Sequence, residues 1–89
     1  MPEDRKRAAE ALFLAIHAQL RSKERRPVLG SSDDAVWLTW RVEGHAPLEF
    51  RVSDPAWTAA DPQELAGRLL AGIREELRRH EERHGAGGG

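Results

Sequence analysis

Between Ala35 and Val52 the chain alternates apolar and polar residues twice, and this constrains the fold more than any other feature. In "AVWLTWRV", Val36, Leu38, Trp40 and Val42 fall on one face and Trp37, Thr39 and Arg41 on the other. In "LEFRV", Leu48, Phe50 and Val52 oppose Glu49 and Arg51. Successive strand side chains point to opposite faces, so both segments read as strands with one dry and one wet side. The stretch from Glu43 to Pro47, with Gly44 inside it, reads as their hairpin connection. A sheet that is dry on one face has to be covered there.

Two segments have the helical periodicity to cover it. Over residues 3–25, Ala9, Phe13, Ile16 and Leu20 recur at helical spacing with Leu12 beside them, and neither Gly nor Pro interrupts. Arg26-Pro27 ends this helix, because the residue before a proline is pushed out of the α region. Leu14, with Ala11 and Ala18, lies around the cylinder from that stripe; either it is singly exposed or it meets another subunit. A second helix opens at Asp61-Pro62-Gln63-Glu64, with an aspartate to cap it, proline in the first turn and a glutamate that can reach back. Leu65, Leu69, Ile73 and Leu77 form its stripe, widened by Ala66 and Leu70. A short edge strand at Pro27-Val28-Leu29 and a polar turn from Gly30 to Asp34 lie between the first helix and the hairpin. The expected architecture is α+β: long helix, two to three antiparallel strands, long helix (αβββα). It forms one domain over residues 1–84, with a flexible Gly-rich tail over 85–89. Trp40 belongs in the core, and Trp57, after Asp54-Pro55, either plugs the end of the sheet or stands exposed in a loop.

Length adds a constraint. A chain of 89 residues buries only a little over ~60% of the surface its unfolded form exposes, and with no cysteine no disulfide can supplement the core. Oligomerisation is the remaining way to bury more. The longest apolar run, Ala11 to Ile16, is far short of the ~20 residues that span a bilayer, so the expectation is a cytoplasmic protein with no membrane partner.

Residues His80-Glu81-Glu82-Arg83-His84 spell H-E-x-x-H, which on a helix places two histidines on one face as metal ligands with a glutamate as base. The same two positions continue the stripe of Ile73 and Leu77, and only a glycine-rich tail follows to supply a third ligand. A structural reading is preferred, with no metal and no cofactor. No Cys or Tyr is present, and Ser22, Ser31, Ser32 and Ser53 lack a nucleophile-elbow context, so no enzyme is expected. Trp37 shares its sheet face with Arg41, Glu49 and Arg51, where it forms either a surface cation–π pair or part of a subunit interface.

Charge is balanced overall, fourteen Lys and Arg against fifteen Asp and Glu, but unevenly placed. Residues 1–26 carry seven basic groups against four acids, whereas residues 27–60 carry two against five. If the two long helices pack antiparallel, Arg5, Lys6 and Arg7 meet Arg78, Arg79 and Arg83 at one tip, a phosphate-binding surface diluted by Glu75, Glu76, Glu81 and Glu82.

The order of these motifs, from Ala35 to Arg79, resembles the YbaB/EbfC nucleoid-associated proteins of bacteria. The resemblance rests on the alternating strand ending at Gly44, the strand running into Asp54-Pro55, and the helix opened by Asp61 and Glu64. The turn before the first clear strand departs from it, with Gly30 as its one glycine. It implies a cytoplasmic, nucleoid-located homodimer that binds DNA with limited sequence preference through basic residues near the helix ends. Carried onto this chain these are Arg5, Lys6, Arg7, Arg78, Arg79 and Arg83, with Leu14 and Trp37 as dimer-interface candidates. The alternative is a homodimeric adaptor on the same fold that engages a partner protein without DNA.

Overall fold

The computed structural model describes residues 2–83; His84 and the tail expected over 85–89 lie outside the described residues. The elements are α1 (Pro2–Gln19), β1 (Val28–Ser31), β2 (Ala35–Trp40), β3 (Leu48–Ser53), a 3-10 turn (Trp57–Ala59) and α2 (Pro62–Glu81). This is the expected αβββα order, with the edge strand formed. The three strands make one antiparallel sheet in the order β1-β2-β3, with Leu38 opposite Leu29 on one side and Phe50 on the other.

Both helices lie on the face that carries Val36, Leu38 and Trp40. Their buried residues, Leu12, Ala15 and Ile16 from α1 and Leu65, Ala66, Leu69, Leu70 and Ile73 from α2, close the core with Val52 and Trp57. Along α1 the buried stripe is rotated from the expected one. Phe13 is 46% exposed, and Ala15 takes its place inside, because α1 faces α2 on one side and leaves the flank nearest β1 open.

α1 also ends six residues before the expected residue 25. The Glu24 carboxylate accepts the backbone N–H of Arg21 at 2.8 Å and binds Arg74 of α2, so a side chain captures a backbone donor that helix continuation would need. At α2 the proline stands in the first turn as expected, but Asp61 makes no side-chain capping bond; its carbonyl accepts the N–H of Leu65 at 3.0 Å. After β3, Asp54 turns the chain by accepting the N–H of Ala56, and Trp57 drops into the core at 2% exposure with its indole N–H donating to the Ser32 carbonyl at 2.8 Å. Trp57 plugs the end of the sheet. Gly72 lets α2 settle onto β3, since a side chain there would occupy the space of the Phe50 ring.

Candidate functional site

The basic residues singled out from the sequence do not come together. Arg5 donates to Asp33 at 2.7 Å, which places the start of α1 beside the β1–β2 turn. The far end of α2 lies at the β2–β3 connection, where the His80 ring meets the His45 ring at 4.5 Å. These ends are separated by the length of β2, six residues or roughly 20 Å. The antiparallel gathering of Arg5, Lys6 and Arg7 with Arg78, Arg79 and Arg83 is therefore not formed within one chain. Several of these cations are also engaged internally: Arg78 is paired with Glu75 and Glu82, and Arg79 reaches Glu75 at 3.5 Å and Glu76 at 3.6 Å. The hydrogen bond from Arg78 holds the Glu75 carboxyl below its ordinary range, the mark of a charge used within the helix.

A different set of cations is presented by the segment between α1 and β1. Arg74 donates to both Glu24 oxygens, at 2.7 and 2.8 Å, and to the Gln19 carbonyl at 3.2 Å, which latches this segment onto α2. Bidentate guanidinium–carboxylate geometry is the strong form of the contact, and it lowers the Glu24 pKa to about 2 from 4.5, chiefly through the hydrogen bonds from Arg74. With its one acid consumed, the latched segment turns Arg21, Lys23, Arg25 and Arg26 to solvent, and none of them has an ion pair among the described residues. Arg41, just past β2, adds a fifth exposed cation. Lys23, Arg25 and Arg41 line a hollow of about 340 Å³ with Trp40, Val42 and Leu77, and its two acids are Glu43 and the Arg74-bound Glu24. A second hollow of about 520 Å³ shares Arg25 and Arg41 and extends past Gly44, His45 and Pro47. Composition registers these cations without singling them out. The Glu24–Arg74 pair, fifty residues apart, is what separates used from unused charge.

The two interface candidates are placed separately. Leu14 is 68% exposed and, with Phe13, His17, Val28 and Leu29, lines a groove of about 830 Å³ between α1 and the β1 edge. Trp37 lies on the open face of the sheet, with the Arg51 guanidinium 4.4 Å from its ring centroid and its indole against Gly30. Of the H-E-x-x-H pair, His80 packs on His45 and His84 lies outside the described residues. No group of three or more metal-ligating side chains occurs among the described residues. Nor is any helix among them long and apolar enough to cross a membrane.

These features define the class: a two-layer α+β domain with a cationic end and an apolar groove. No family model, curated protein or solved structure matches the chain.

Proposed function

We propose that this protein binds nucleic acid through its phosphates, with limited sequence preference and without chemistry of its own. The observation that carries this reading is the cluster of Arg21, Lys23, Arg25, Arg26 and Arg41, exposed and without ion pairs among the described residues, around an end whose neighbouring acid, Glu24, is held by Arg74. Cations that are not neutralised internally displace counterions from a phosphate backbone, which supplies affinity independent of sequence. The latch matters because it holds the cations on a fixed segment, reducing the ordering cost of binding. Duplex DNA is the partner implied by the motif resemblance, and the chemistry is the same for any polyphosphate backbone.

A fluorescence-anisotropy titration of a labelled DNA duplex at several salt concentrations tests this. The log of the binding constant is expected to fall linearly with log salt, and removing one phosphate-neutralising side chain should reduce the slope by about 1. Arg25→Glu with Arg41→Glu should weaken binding and flatten the slope, while Arg5→Glu with Arg7→Glu should change both much less. Absence of binding at low salt, or the reverse ranking of the two variants, would overturn the assignment. The second reading, an adaptor that engages proteins, is supported by the gathering of Phe13, Leu14 and Val28 along one groove.

A further inference from the structure

The two edges of the sheet are not equivalent. In an antiparallel ladder alternate residues direct both backbone groups to the same neighbour. The N–H of Ser32 bonds to the Ala35 carbonyl at 2.9 Å, so Ser32, Gly30 and Val28 face β2, and Leu29 and Ser31 turn their N–H and C=O groups outward. On β3 the N–H of Asp54 bonds to the Asp34 carbonyl at 2.8 Å, so the outward residues there are Glu49, Arg51 and Ser53. Charged residues along an edge discourage pairing with another strand, and β3 has them. β1 carries none: its residues are Val28, Leu29, Gly30 and Ser31, and Val28 is 61% exposed. Beside that edge stand Phe13 and Leu14, so the three exposed large apolar side chains among the described residues line one groove.

We propose that this groove is a self-association surface, in which β1 of one chain pairs antiparallel with β1 of a second copy across a two-fold axis, joining two sheets into one of six strands. The backbone selects the register. Centred on Gly30, Leu29 of each chain faces Ser31 of the other, and all four outward groups of each β1 are satisfied. A shift that sets Leu29 opposite Leu29 places Ser31 against Pro27, which has no N–H to give. The opposite shift runs Leu29 into the Asp33 turn. Gly30 at the axis leaves its partner's backbone unobstructed, and the Trp37 indole covers it from the open face. The groove rim carries Lys6 and Arg26 against Glu10, both signs, as a surface that meets its own image requires. Phe13 and Leu14 then face their counterparts above the joined strands. This inference does not rest on phosphate binding: the two surfaces share Arg26, but the hollow of Lys23, Arg25 and Arg41 lies outside the groove.

The test has two arms. Light scattering on the full chain should give twice the 10.0 kDa chain mass, and Leu14→Glu, at a site 68% exposed and outside the folded core, should raise the dimer dissociation constant roughly tenfold or more while circular dichroism stays unchanged. Because the chain has no cysteine, the register can be read by cross-linking. Val28 and Ser32 of opposite chains form a close pair with Cα atoms about 4.5 Å apart, within disulfide range. Mixing Val28→Cys with Ser32→Cys under oxidation should give the disulfide-linked heterodimer, with little linkage of either variant alone. A monomeric mass would overturn the proposal and return the groove to a foreign partner. A dimer that ignores Leu14→Glu or cross-links Val28 to Val28 would overturn it as well. DNA affinity measured on the Leu14→Glu monomer separates failure of the dimer from failure of the phosphate site.

Discussion

Glu24 accepts hydrogen bonds from three donors on two partners, the Arg21 backbone N–H and two guanidinium nitrogens of Arg74, while 15% of its side chain remains exposed. Its pKa is lowered from 4.5 to about 2, so the pair's stabilisation is fully present above pH 4.5 and is lost as pH falls towards 2. Discounted for the solvent that reaches the pair, the contribution is about 1–2 kcal/mol. Urea unfolding of the native chain and of Glu24→Gln should therefore differ by about that amount at neutral pH and converge at acid pH, since the variant has no carboxylate to protonate. Periodicity alone places Glu24 inside a helix. Nothing within a window of local spacing could reveal that its partner is Arg74, because the contact exists only after α2 has docked. Trp57 is half legible: its place after Asp54-Pro55 leaves it either under the sheet or exposed in a loop, and the indole bond to the Ser32 carbonyl, twenty-five residues away, decides for the core.

At the scale of elements, the strong periodic patterns place both helices and the hairpin, and the errors lie at their ends. Asp61 has the residue type of a cap without making the bond, so Asp61→Ala should cost less than ~0.5 kcal/mol in urea unfolding, against about 1 kcal/mol for a working cap. Gly72 shows the converse. A glycine inside a helix reads as a weak point, yet it sits against Phe50, and Gly72→Ala should destabilise by about 1–3 kcal/mol despite the better helix propensity of alanine. A rise in the urea midpoint would show that the ring can move aside without loss. The rotation of the α1 stripe has a similar origin. Apolar spacing gives a helix a wet and a dry side, but Phe13 and Ile16 satisfy the same pattern, and the neighbours decide which is covered.

For the whole molecule, the start of α1 and the end of α2 sit at opposite ends of the sheet, and much follows from that placement. It moves the candidate phosphate surface from the expected helix tips to the latched segment before β1. It also leaves the α1 flank beside β1 open. If that flank is covered by a second copy, folding and association are linked, and the urea midpoint should rise with protein concentration for the native chain but not for Leu14→Glu, read by tryptophan fluorescence. The sequence by itself determined the α+β class, the strand that buries Val36, Leu38 and Trp40, and the helix carrying Leu65 to Leu77, because each follows from short-range alternation or periodicity that local geometry enforces. Only the tertiary structure decided which charges are consumed and which remain. Ion pairing depends on distances between residues far apart in the chain, and Glu24 with Arg74, or Arg5 with Asp33, meet only when helices and sheet have packed.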